Sequence, residues 1–167
     1  MPVREAWVPA CIGIGSNLDD PVMQVRHGLD DLAGLDATRL LAASGLYRNP
    51  PMGPIDQPDY INAVAIVLTR LGPRDLLSNL KDIETRRGRV RLPGDRWGPR
   101  RLDLDILTYG YRQIDEPDLK IPHPGIAERN FVLFPMREIA PQLHIPGRGL
   151  LRNLVAESDG STLERIR

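Results

Sequence analysis

Arg96-Trp97-Gly98-Pro99-Arg100-Arg101-Leu102-Asp103-Leu104-Asp105-Ile106 is the stretch that decides how the chain is read. Leu102, Leu104 and Ile106 alternate with Asp103 and Asp105, so residues 102–109 are expected to form a strand. Its apolar side chains would lie on one face and its two carboxylates on the other. Aspartates two residues apart on a strand stand roughly 7 Å from each other along it. Magnesium accepts one or two protein carboxylates together with phosphate oxygens and water, so the pair suits one or two such ions. The plain alternative is a solvent-facing strand edge that happens to carry two acids.

What precedes the strand favours the metal. Arg86, Arg87, Arg89, Arg91, Arg96, Arg100 and Arg101 face only Asp95, interspersed with Gly88, Gly94, Gly98, Pro93 and Pro99. This composition predicts a mobile loop. Guanidinium forks grip phosphate oxygens two at a time and keep their charge, and the chain's only lysines are Lys81 and Lys120. Arginine is thus the chain's cation of choice beside a pair of carboxylates, which is equipment for holding a polyphosphate with its metal ions.

The chain as a whole narrows the ligand. Its 167 residues suffice for a single domain, residues 1–167, with a core that needs no disulfide. Formal net charge is zero, so the basic cluster is expected to serve a small anion and no nucleic acid. Cys11, the only cysteine, lies in an apolar run and is expected to be a buried core residue, which fits a reducing, cytoplasmic setting. Met1 to Ala10 lacks a signal-peptide core and a spanning helix, so no membrane partner is expected.

Along the chain, Val8–Ile14 reads as a buried strand ending in a glycine turn, and a helix starts at Asp20-Pro21 and closes at Gly34. A second strand is expected over Leu40–Tyr47. An irregular loop follows from Arg48 to Asp59, which contains four prolines. Tyr60–Leu68 is β-prone. Pro73 opens a helix carrying Leu76, Leu77, Leu80 and Ile83. Ile121–Gly125 reads as a turn, Arg129–Ile139 as helical after Pro135, and Leu150–Glu157 as a short helix. Strands and helices alternating irregularly over short connections predict an α+β sheet, antiparallel or mixed, covered by helices.

Four segments, Ile12–Asn17, Tyr47–Asn62, Glu84–Asp105 and Ile121–Ala140, carry R-W-G-P-R-x-L-D-L-D-I, D-Q-P-x-Y-x-N and P-H-P in one order. Together they resemble the 6-hydroxymethyl-7,8-dihydropterin pyrophosphokinases of folate synthesis. The resemblance implies a ferredoxin-like fold, a monomer, and transfer of a pyrophosphoryl group from ATP, held with two magnesium ions, to the pterin's hydroxymethyl oxygen. By the same resemblance Asp103 and Asp105 are the metal carboxylates, and Arg96 and Arg100 act with them in catalysis. Glu84, Arg89, Arg91, Ile106, His123 and Arg129 would contact the nucleotide. Trp97 and Phe131 would stack on the pterin, Asn62 would read its amide edge, and Asn49, Pro50, Met52 and Tyr60 would complete the pocket. Asn49 stands where the family usually has threonine, and Asp118 and Lys120 replace its usual basic and hydroxyl residues.

Two rival readings draw on the same residues. A generic phosphate-binding NTPase lacks support, because G-x-x-x-x-G-K-[ST] is missing and Leu18 stands where a dinucleotide fingerprint wants glycine. A non-catalytic nucleotide- or RNA-binding module on a ferredoxin-like sheet would use the arginines, Trp97 and Tyr60. Asp103 and Asp105 discriminate against it, since carboxylates beside the cations repel an RNA backbone.

Overall fold

The computed structural model describes residues 6–88 and 99–166. Arg89, Arg91, Arg96 and Trp97 lie outside the described residues.

Antiparallel pairing organises the main sheet. β1 (Val8–Ser16) lies between β4 (Tyr60–Thr69) and β5 (Asp103–Tyr109), while β2 (Thr38–Ala43) and β3 (Leu46–Asn49) share the far side of β4. β10 (Glu164–Ile166) closes the edge beside β3. α1 (Pro21–Ala33) carries the chain from β1 to β2, and α2 (Pro73–Arg86) from β4 to β5. This is the ferredoxin-like β-α-β-β-α-β order, with β4 inserted between β1 and β2. Every ladder among the described residues is antiparallel, so the mixed-sheet option is not taken.

Helices cover both faces. Val25 and Leu32 of α1 and Leu76, Leu80 and Ile83 of α2 pack on Ala10, Ile12, Ile14, Leu104 and Ile106. On the opposite face, α3 (Asn130–Ile139) and α4 (Leu151–Ala156) lay Val132, Leu133, Met136 and Val155 over Cys11, Val64 and Leu107. Cys11 is a buried core residue, its thiol pushed up by burial. Two short hairpins, β6 (Ile114–Glu116) with β7 (Leu119–Ile121) and β8 (His144–Ile145) with β9 (Gly149–Leu150), link these parts. Among the described residues no helix is long and apolar enough to cross a membrane.

Three local expectations are corrected. The strand expected over Leu40–Tyr47 splits in two, because the Ser44 hydroxyl accepts the Val64 N–H at 2.9 Å and thereby replaces a backbone carbonyl in the ladder. α3 begins at Asn130 and runs through Pro135. An interior proline costs about 3 kcal/mol, but Val132, Leu133 and Met136 are each at most 4% exposed, and burial of such side chains stabilises by about 1.5–3 kcal/mol apiece. Packing therefore outweighs the proline. Finally, β1 does not end at Ile14 but continues in register with β4 to Ser16.

Candidate functional site

The extension of β1 through its glycines creates the site. Register places Asn62 of β4, Gly15 of β1 and Asp103 of β5 in one row across the sheet, and Val64, Gly13 and Asp105 in the next row on the same face. Further along that face Cys11, Val64 and Leu107 meet α3. At Gly13 and Gly15 no side chain rises from the central strand, and a cleft opens there. The Leu107 side chain reaches over Gly13, and the Asn62 oxygen over Gly15. Asn62 and Asp103 flank the cleft two strand spacings apart, roughly 10 Å.

One end of this cleft is amide and aromatic. Asn49, Met52, Tyr60 and Asn62 line it, and Phe131 of α3 faces them. Asn62 Nδ2 donates to Asn49 Oδ1, while Asn49 Nδ2 donates to the Pro50 carbonyl at 3.1 Å. Asn62 gives one of its two amide hydrogens to Asn49 and turns its oxygen toward Gly15. Pro50 itself is exposed and stands outside the lining among the described residues, which leaves it a rim position with a useful carbonyl.

The other end is charged. Arg100 Nε lies 3.9 Å from Asp103 Oδ2, and Arg129 Nη1 lies 3.9 Å from Asp105 Oδ2. Both separations are at the outer limit of an ion pair. Two carboxylates roughly 7 Å apart repel by about 2 kcal/mol at an effective dielectric near 20, so a cation bound between them would be favoured. No group of three or more His, Cys, Asp or Glu side chains converges among the described residues. A two-carboxylate donor set that leaves its remaining positions to phosphate and water fits magnesium. The guanidiniums of Arg100 and Arg129 stand beside this pair.

A second cleft opens beside the first, and Asp105 lines both. Leu77, Leu104 and Ile106 give it an apolar wall, while Lys120 and His123 give it polar groups. His123 Nδ1 accepts the Gly125 N–H at 3.0 Å, so in the neutral ring the proton sits on Nε2. Burial, aided by the charge of Arg129, holds its pKa down to about 4. His123 is therefore a neutral donor and not a cation at pH 7. Asp118 is engaged by Arg74 and Lys120 by Asp115 at the rim.

Glu84 departs from its expected place. It is 3% exposed, lines neither cleft among the described residues, and accepts the Leu104 N–H at 3.1 Å through Oε2. Among the described residues β5 pairs with β1 alone, and Glu84 holds the β5 backbone between the two aspartates. Sequence reasoning also gave no role to Asn17 or Gln57. Asn17 is 2% exposed and bonded on several sides, and Gln57 lines the first cleft. The usable signal was the two-residue spacing of Gly13 and Gly15, the same period as Asp103 and Asp105.

Comparison with known proteins gives a coherent result. Residues 11–141 match a family described as 7,8-dihydro-6-hydroxymethylpterin-pyrophosphokinase. The chain is 45% identical over 155 residues to a Pseudomonas aeruginosa 2-amino-4-hydroxy-6-hydroxymethyldihydropteridine pyrophosphokinase, covering 93% of this chain and 94% of that protein. A Haemophilus influenzae protein of the same name is 45% identical over 150 residues, with 90% and 92% covered. Among solved structures, the Plasmodium falciparum HPPK-DHPS A437G/K540E protein with pterin and p-hydroxybenzoate superposes with a TM-score of 0.73 at 13% identity, over 96% of this chain and 47% of that one. This last likeness is one of fold.

Proposed function

Because the chain belongs to the 7,8-dihydro-6-hydroxymethylpterin-pyrophosphokinase family, we propose that its two clefts hold a pterin and ATP for pyrophosphoryl transfer across Asp105. The chain is a transferase of folate biosynthesis. The row Asn62–Gly15–Asp103 supports the assignment of the clefts, since it sets an amide and a carboxylate on the two sides of one glycine.

A flat pterin would lie on the Gly15 backbone with its pyrimidine edge toward Asn62. The Asn62 oxygen, turned by Asn49, accepts from that edge. Phe131 supplies an aromatic face, with Arg129 5.8 Å from its ring centroid. Trp97 is assigned the opposite face from the sequence alone. The hydroxymethyl group then points toward Asp103 and Asp105, at the wall shared with the second cleft.

ATP would place its base against Leu77 and Ile106, within reach of the His123 Nε2–H, and its phosphates toward Arg100 and Arg129. The pterin oxygen attacks the β-phosphorus, the bond from that phosphorus to the α-bridging oxygen breaks, and AMP leaves with that oxygen. The hydroxyl proton passes to solvent or to a phosphate oxygen. Asp103 and Asp105 would hold magnesium, which when bound neutralises the triphosphate and lowers the hydroxyl's pKa. Arg100 and Arg129 orient the phosphates and balance the charge that develops on them. Arg89, Arg91 and Arg96 are assigned to the same phosphates from the sequence alone. Glu84 acts indirectly, by fixing the strand on which both aspartates stand.

Product identity tests the reaction. With ATP, magnesium and 6-hydroxymethyl-7,8-dihydropterin, phosphorus NMR is expected to show AMP and a pterin diphosphate. ADP, or nucleotide cleavage without the pterin, would overturn the reading.

Gly15 has its own test. A Cβ built on Gly15 would lie 2.5 Å from Asn62 Oδ1 and must push that flexible side chain aside. Gly15→Ala is expected to raise the KM for the pterin by roughly tenfold, the scale of one lost polar contact, with a smaller effect on the KM for ATP. Equal effects on both would place Asn62 outside pterin recognition.

A further inference from the structure

Asn17 lies at the end of β1 with its side chain committed in two directions. Nδ2 donates to Gln57 Oε1 and to the Pro58 carbonyl, each at 2.9 Å, and Oδ1 accepts the Arg100 N–H at 2.8 Å. Its backbone N–H also donates to the Arg100 carbonyl at 2.9 Å. A carboxamide has two donor hydrogens on nitrogen and an acceptor oxygen. Both hydrogens hold the end of the proline-rich loop, whose Met52 and Gln57 line the first cleft, and the oxygen holds Arg100 beside Asp103. At 2% exposure, water offers little substitute for these bonds.

We propose that Asn17 is a positioning residue that couples the two substrate sites: it fastens the loop facing the pterin to the backbone of Arg100, so that each substrate tightens binding of the other. Closing the loop over a pterin steadies Arg100 for phosphate. By thermodynamic reciprocity, a phosphate held at Arg100 steadies the loop to the same extent. No other side chain type of this size can donate twice and accept once. Aspartate keeps the acceptor for Arg100 and can receive a turned Gln57 amide, but it cannot donate to the Pro58 carbonyl, while alanine loses both connections. The inference rests on the two-substrate reading above.

The test is a pair of binding measurements. The Kd of α,β-methylene-ATP with magnesium is determined by calorimetry with and without 6-hydroxymethylpterin. The ratio of the two values is expected to be at least about fivefold in the wild-type protein, the lower end of ordinary coupling. Asn17→Ala is expected to bring it below about twofold, and Asn17→Asp, which loses the bond to Pro58, to lower it less. Gln57→Leu, which leaves Asn17 and its bond to Pro58 in place, is expected to give an intermediate ratio. A wild-type ratio of one, or a wild-type ratio retained by natively melting Asn17 variants, overturns the proposal. If the Asn17 variants do not fold, Gln57→Leu decides, and an unchanged ratio overturns it. Failure of the functional reading would look different, because substrates that bind and couple yet yield ADP leave the role of Asn17 standing.

Discussion

Asp105→Asn is expected to cut turnover by roughly three orders of magnitude, the upper range for removing one group that stabilises transferring charge, while the protein still folds. Asp105 is the residue shared by the two clefts. Asparagine preserves its volume and its place in the ladder opposite Gly13 but removes the charge that a divalent cation needs. The pair with Arg129 adds little to stability. It is 3.9 Å long, and the Asp105 side chain is 46% exposed, so its contribution is about 1 kcal/mol or less and the melting temperature should fall by no more than about 2–4 °C. Asp103→Asn is expected to behave alike. Activity within tenfold of wild type, measured as AMP release, would remove the aspartates from the metal assignment.

How much of this site was legible in the sequence depends on the range of the forces involved. Alternation along β5 and helical spacing in α1 and α2 are local, and they were read correctly because a strand or helix exposes its own period. The shared face of Asp103 and Asp105 follows from the same alternation. The cleft itself was hidden, since Gly13 and Gly15 read as a turn until register set them between Asn62 and Asp103. Register is a long-range property, and one residue of slip would turn all of these groups to the opposite face.

Glu84 and Asn17 were opaque for a related reason. A glutamate near the C-terminal end of an amphipathic helix reads as a solvated charge or, by resemblance, as a nucleotide contact. That it is buried against the Leu104 amide follows only from the packing of α2 along β5. Asn17 bonds to partners 40, 41 and 83 residues away, so no window on the sequence contains its reason. Pro135 misled in the opposite sense: the local rule against proline in a helix is sound, and burial of the α3 face overrode it.

Arg100→Ala is the second large effect, with an expected loss of roughly 100- to 1,000-fold in the chemical step and a smaller loss in nucleotide affinity. The substitution isolates the guanidinium, because the Arg100 N–H and carbonyl stay fastened to Asn17 whatever side chain the residue bears. The strand start and the Asp103 backbone should therefore keep their positions. The side chain is only 10% exposed and already lies beside Asp103, so it meets the phosphates in a partly dehydrated place where charge on the transition state is stabilised more strongly than charge on bound ATP. Lysine should restore little, since a point charge on a flexible stem does not reproduce the planar fork that holds two phosphate oxygens. Single-turnover kinetics at saturating nucleotide separates the possibilities. A slower step at unchanged Kd makes Arg100 part of catalysis, whereas a raised Kd with an unaltered step would reduce it to a binding residue and shift the work of charge stabilisation to Arg129.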